Sequence, residues 1–300
     1  MPPTKKTKRE RFGSQALDVA ATALDTAVRN LENARRIANF LRGRLVLETR
    51  PTDVFVSSYP RSGTTLTQWI LYLLSHDEQP DPDHLTKVSP WFERSLAMGE
   101  LSAEDLAHFD SPRVFKSHLP REWLPDGARY IYVERDVEDV LVSYFHFYRA
   151  YLGFRGSLDD FFRRFVDGRV QYGSWFDHVA GWRAHADDSD VLIVRYEDLL
   201  ADRKGSIADI VEFLGWDCHE RRIDRAVIES SFDAMKRRES VFDHATALLL
   251  ERGVRPQSFL RSGTSGSGGE ELDPAQAREL RERGSSGRRL AIRGLAAFLQ

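Results

Sequence analysis

Apolar positions follow two different periodicities along the chain. Between Leu17 and Leu41 they recur at helical spacing (Leu17, Ala21, Leu24, Val28, Leu31, Ala34, Ala38, Leu41), the stripe of a long amphipathic helix. After Pro51 the pattern changes. Four short runs rich in β-branched and aromatic residues, Val54–Ser58, Val114–Ser117, Tyr130–Glu134 and Val191–Arg195, predict buried strands. Helical stretches lie between them, so the expected fold class is α/β, a parallel sheet flanked by helices on both faces. Gly263 to Gly269 is rich in Gly and Ser and predicts a loop. Leu272 to Arg283 predicts a helix, with Asp273 as its N-cap and Pro274 in its first position. The head is polar and basic (Lys5, Lys6, Lys8, Arg9, Arg11) and reads as disordered. The expected division is a head (1–13), a helical extension (14–50), one main domain (51–283) and a basic amphipathic tail (284–300).

Composition narrows the class of protein. Three hundred residues are ample for a sizeable core. A formal charge of −3 exerts no overall attraction on nucleic acid, so no nucleic-acid partner is expected. The single cysteine, Cys218, cannot form an internal disulfide, and the fold needs no oxidising compartment. No apolar run approaches the roughly 20 residues that span a bilayer, and the N-terminus lacks the apolar core of a signal peptide. The expectation is a soluble, cytoplasmic protein. No His, Cys and carboxylate cluster has metal-ligand spacing, so no metal is expected.

The chemistry begins in the stretch from Val54 to Leu74. A strand pattern turns into a helix pattern through a loop holding Arg61, Ser62, Gly63, Thr64 and Thr65. Such a turn leaves the first helical N–H groups unpaired, and an anion fits there. Gly63 permits close backbone approach, while Arg61 and the hydroxyls of Ser62, Thr64 and Thr65 add hydrogen bonds. The loop lacks the G-x-x-x-x-G-K-[ST] pattern of nucleotide triphosphatases. A second segment, Tyr130 to Tyr148, again runs strand, Arg135, helix, with Ser143 about two turns into the helix. Arg135 and Ser143 can converge on a second phosphate.

Together the two segments resemble the cytosolic-type sulfotransferase family. That family uses a Tyr-Pro-Lys-Ser-Gly-Thr-Thr loop for the 5′-phosphosulfate of 3′-phosphoadenosine 5′-phosphosulfate (PAPS), and an Arg…Ser pair for its 3′-phosphate. The resemblance continues through Arg113–Pro120, Val191–Leu199, Phe213–Gly215, Ser230–Met235 and Phe259–Gly263, in the family's order. It implies a P-loop-like phosphosulfate-binding fold, PAPS as co-substrate, adenosine 3′,5′-bisphosphate (PAP) as product, and no metal. It places the phosphosulfate in the Arg61–Thr65 loop, and the 3′-phosphate on Arg135, Ser143, Arg261, Ser262 and Gly263. Leu66, Tyr196, Ser230 and Phe232 match positions around the adenine. His118 matches the family's catalytic base, and an imidazole titrating near neutrality suits that task. Lys116 matches the lysine beside the transferring sulfonate, and two residues apart in an extended segment the two project to the same side.

Several positions depart from the family pattern. Arg61 stands in place of Lys, which keeps the charge and assigns it to stabilising the leaving phosphate. Leu66 replaces a Trp that stacks on adenine, and Ser262 replaces a cation. Gly266-Ser-Gly268 replaces Gly-x-Trp, from which a more mobile lid over the donor is expected.

The acceptor side is read from aromatic density. Trp91, Phe92, Phe145 to Tyr148, Tyr151, Phe154, Tyr172, Trp175 and Phe176 cluster near the expected opening. With family precedent they suggest a small apolar acceptor bearing a hydroxyl, such as a phenol, sterol or lipid-like alcohol. His146 is expected as core or pocket lining. Two readings stand for the terminal basic amphipathic segments: helices docked on the domain, or peripheral contact with an anionic membrane. Two rivals stand for function: a small-molecule kinase using ATP, and a scaffold that kept the fold and lost activity.

Overall fold

This computed structural model describes residues 8–76, 81–243, 260, 263, 265–266 and 268–285. Four strands pair in parallel among them: β1 (Val54–Ser58), β2 (Val114–Ser117), β3 (Arg129–Glu134) and β4 (Val191–Arg195), in the order β2-β1-β3-β4. Val56 sits opposite Lys116 on one side and Ile131 on the other. These are the four expected strands, with β3 beginning one residue early at Arg129. Period-two alternation gives the sheet two unlike faces. Phe55, Phe115, Tyr130 and Tyr132 fill one face, where Phe55 stacks on Phe115 at 4.9 Å and Tyr132 on Trp182 at 4.8 Å. Val54, Val56, Ile131, Val133 and Val194 fill the other with Trp69, Ile70 and Leu73 of helix α2 (Thr64–Ser75). The helix Val137–Tyr151 supplies Val140, Leu141 and Tyr144 to the aromatic side. The strands run the same way, so Ser58, Ser117, Glu134 and Arg195 end on one edge. The loops that follow them converge there, where the strand order reverses around β1 and β3.

Helix α1 (Lys8–Val46) starts inside the stretch expected to be a disordered head and runs past the expected end at Leu41. Its C-terminal end docks on the domain. Phe40 is fully buried, Asn39 Nδ2 donates to the Ala97 carbonyl at 3.3 Å, and Arg44 Nε donates to the Trp123 carbonyl at 2.8 Å. Gly43 lets the helix lie against Leu96, whose Cδ2 would be 2.6 Å from any added Cβ. The apolar positions nearer the start, Leu17, Leu24 and Leu31, are exposed. The docked reading therefore holds for one end of α1, and the basic tail from residue 286 onward lies outside the described residues. No helix among the described residues is long and apolar enough to cross a membrane. The helix Pro274–Ser285 starts as expected, with Asp273 Oδ1 accepting from Ala275 N–H at 2.7 Å.

A buried ion pair fixes the sheet's lower edge. Asp53, just before β1, takes Arg113 Nε at 2.7 Å on one oxygen and Arg113 Nη2 on the other. Both residues are almost completely buried. The remaining valences are filled: Arg113 also donates to the carbonyls of Glu48 and Leu106, and Asp53 accepts from Arg50 N–H. The pair ties the lead-in of β1 to that of β2, so it holds the register on which the cleft depends. Asp53→Asn leaves a buried guanidinium uncompensated. The expected cost is about 3–5 kcal/mol, read as a lower urea midpoint at unchanged slope; a loss under about 1 kcal/mol contradicts this role.

Candidate active site

The turn from β1 into α2 forms the first wall of the site. Arg61 and Gly63 both have left-handed backbone, at φ 73° and 108°. For Arg61 that conformation costs about 1–3 kcal/mol and persists only where the surroundings impose it. Gly63 has no alternative, because an added Cβ would lie 2.6 Å from Tyr196 Cδ2 as well as being strained. No side chain caps α2. The Gly63 carbonyl takes Thr67 N–H at 3.1 Å, so the amides of Thr64, Thr65 and Leu66 precede the first intrahelical bond. Those three residues line the cleft, together with Pro60, Arg61 and Gly63. Thr64 Oγ1 shares a 2.6 Å hydrogen bond with Ser58 Oγ. Ser62 does not line the cleft; it is buried, and its Oγ has no hydrogen-bond partner.

The second segment meets this loop directly. Arg61 Nε donates to Ser143 Oγ at 3.2 Å, and Arg135 Nη1 donates to the Arg61 carbonyl at 3.3 Å. Burial pulls the Arg61 pKa down to about 10, and Arg135 adds to the fall, yet it stays charged at neutral pH. Arg135 lies 4.4 Å over the Tyr196 ring and pairs with Asp139 at 3.3 Å. Asp139 also accepts from Gly266 N–H (2.9 Å), Gly268 N–H (2.8 Å) and Ser265 Oγ (3.1 Å). Burial alone would raise its carboxyl; these amides, Arg135 and Ser265 hold it below the usual range. A Cβ at Gly268 would sit 2.6 Å from Asp139 N, which explains glycine there. Ser265, Gly266 and Gly268, in the stretch expected to be a mobile lid, are thus hydrogen-bonded to Asp139. Gly263 lines the cleft, whereas Arg261 and Ser262 lie outside the described residues.

The cleft encloses about 190 Å³. Leu66, Tyr196, Ser230 and Phe232 all line the cleft. Leu200, Met235 and Arg203 join them, and none was expected. Arg203 is a cation with a buried Nε that has no hydrogen-bond partner. Nothing in the sequence marks it, since an arginine after an aspartate N-cap is ordinary on a helix surface.

His118 also lines the cleft and is nearly buried. Its Nδ1 lies 2.8 Å from the Ser58 carbonyl, which can only accept, so the proton sits on Nδ1 and Nε2 is the basic nitrogen. Its backbone is gripped at both ends. Glu93 Oε1 accepts from His118 N–H at 2.8 Å, and His178 Nε2 donates to the His118 carbonyl at 3.0 Å. Burial drops His178 to about 4, so it is neutral, with Tyr132 O–H donating to its Nδ1 at 2.9 Å. Lys116 is not at the cleft wall itself. Its Nζ lies 3.8 Å over the ring of Trp91, which does line the cleft. Burial lowers Lys116 to about 7; Glu93 opposes the fall, while Arg61 and Arg94 add to it. Of the aromatic cluster, Trp91, Phe147 and Tyr172 line the cleft with Tyr144, while Phe92, Phe145, Tyr148 and Trp175 belong to the core. His146 is in neither place; it is partly exposed and pairs with Glu271 at 2.9 Å.

A parallel sheet with an uncapped helix at a cation-lined cleft is an arrangement suited to an anionic ligand. The family model for the sulfotransferase domain matches residues 51–285, and the chain belongs to the cytosolic-type sulfotransferase family. It is 31% identical over 232 residues to sulfotransferase 1C2 of Rattus norvegicus, covering 73% of this chain and 77% of that protein. It is 36% identical over 231 residues to the amine sulfotransferase of Oryctolagus cuniculus, covering 73% and 75%. Among solved structures it is similar to retinol dehydratase in complex with androsterone and the inactive cofactor PAP. That match has a TM-score of 0.73 and 25% identity, and covers 85% of each chain. The mouse sulfotransferase SULT7A1 complexed with PAP matches with a TM-score of 0.64 and 26% identity, covering 83% and 88%.

Proposed function

We propose that this sulfotransferase passes the sulfuryl group of PAPS to the hydroxyl of a small apolar acceptor, with His118 Nε2 as general base. The observation that carries the reading is the tautomer of His118, fixed by the Ser58 carbonyl, in the same cleft as the Arg61–Leu66 turn and Arg135. The donor phosphosulfate takes the amides of the Arg61–Thr65 turn with the side chains of Arg61, Thr64 and Thr65, and its 3′-phosphate takes Arg135, Ser143 and the segment at Gly263. The adenine lies among Leu66, Tyr196, Ser230 and Phe232. Arg61 and Lys116 supply positive charge as the sulfuryl group leaves, and positioning with charge stabilisation provides the rate. Nothing in this scheme needs a metal, and no group of three His, Cys or carboxylate residues is placed to hold one among the described residues. Trp91 and Tyr172 stand beside His118 in the cleft, which Phe147 also lines, and retinol dehydratase, a similar structure, holds androsterone or retinol. Residues 51–283 are proposed as the catalytic unit, working in the cytoplasm. The ATP-kinase reading is weaker, since the loop carries no P-loop lysine pattern.

The test is a PAPS-dependent screen of androsterone, retinol, 4-nitrophenol, a long-chain alkanol and glucose, with wild type and His118→Ala. Turnover of an apolar hydroxyl is expected, falling about 10²–10⁴-fold in the variant while PAP still binds. Sulfation of glucose alone, or an active variant, contradicts the reading.

Lys116 adds a pH signature. Its pKa is lowered to about 7, so its charge is present below that pH and lost above it. kcat/KM for PAPS is expected to fall as pH rises through about 7. In Lys116→Arg that limb moves to higher pH, because guanidinium stays charged. An unmoved limb shows that Lys116 is not the cation involved.

A further inference from the structure

Glu93 has no place in the motifs that point to the donor, yet it sits directly behind the acceptor end of the cleft. It is fully buried and does not line the cleft. Its Oε1 accepts from three groups: Trp91 Nε1–H at 2.7 Å, His118 N–H at 2.8 Å and Tyr172 O–H at 3.4 Å. All three of those residues line the cleft. They come from separate parts of the chain, and the carboxylate brings them together.

The geometry around the imidazole follows from this. The Trp91 ring stands 5.3 Å from the His118 ring at 90°, and the Tyr172 ring stands 5.1 Å away at 69°. Tyr172 holds left-handed backbone at φ 66°. Its neighbours are pinned from the other side, with Tyr59 O–H donating to the Gly173 carbonyl at 2.8 Å and Gln171 N–H donating to Tyr148 Oη at 2.7 Å. Burial raises the Glu93 carboxyl above its ordinary range, against the hydrogen bonds from Trp91, the His118 amide and Ser117 that pull it down. A buried carboxylate is costly, and an apolar side chain would serve packing alone better. Its placement points to the site.

We propose that Glu93 is the positioning residue of the acceptor side, fixing the His118 backbone and the Trp91 and Tyr172 walls in one arrangement. An acceptor hydroxyl entering between those rings then meets His118 Nε2 in line with the donor. The carboxylate also supplies the neighbouring negative charge that helps Lys116 keep its proton. This inference rests on His118 being the base.

The test compares wild type, Glu93→Gln, Glu93→Ala, Tyr172→Phe and His118→Ala as full chains. Each is titrated with PAP and assayed with whichever acceptor of the panel turns over fastest. PAP affinity in the Glu93 variants is expected within about twofold of wild type, while acceptor kcat/KM falls about tenfold or more, furthest in Glu93→Ala. Tyr172→Phe, which keeps the carboxylate, is expected to show a smaller loss of the same kind and carries the test if Glu93→Ala does not fold. Acceptor kcat/KM within about twofold of wild type in these variants, or PAP affinity falling in step with it, overturns the proposal. An active His118→Ala overturns the base assignment instead.

Discussion

A helix that starts without a side-chain cap leaves its first amides without partners, and α2 starts this way directly above the end of β1. Everything at the donor end depends on that constraint. The turn needs left-handed backbone at Arg61 and Gly63, and the space beside Gly63 is already taken by Tyr196 at the end of β4. The parallel sheet then brings Arg135, from the end of β3, onto both the Arg61 carbonyl and the Tyr196 ring. Three strand ends therefore converge on one anion-binding concavity. The buried Asp53–Arg113 pair fixes the opposite ends of β1 and β2, so the concavity does not drift in register.

Charge is unevenly matched around the cleft. Arg61, Arg135 and Arg203 line it and Lys116 lies just behind Trp91, while Asp139 and Glu93 are the carboxylates placed against this group. Burial acts on Arg61 and Lys116 in the same direction, lowering both. A polyanionic ligand beside them would act in the opposite direction. The site is thus built to be completed by its ligand, and proton affinity at Lys116 is the property most sensitive to that completion.

Much of this was legible in the chain. Strand boundaries and the two strand–Arg–helix segments could be read because their signals are contiguous, with periodicity, punctuation and reacting groups lying within a few residues of each other. Leu66, Tyr196, Ser230 and Phe232, singled out by the family resemblance, all line the cleft. What escaped the sequence depends on long-range packing. Glu93 and His178 grip the His118 backbone from distant parts of the chain, and a buried glutamate followed by arginine looks like any helix surface. Arg203 was silent for the same reason. The position of Lys116 over Trp91 and the hydrogen bonds from Gly266 and Gly268 to Asp139 were equally silent in the sequence.

The most direct test of the donor site is a calorimetric titration of wild type and Arg135→Ala with PAP, AMP and ATP. The account predicts that wild type prefers PAP over both, and that the substitution removes the advantage of PAP over AMP by deleting a 3′-phosphate contact. Equal affinity for PAP and AMP in wild type, or a preference for ATP, would contradict it.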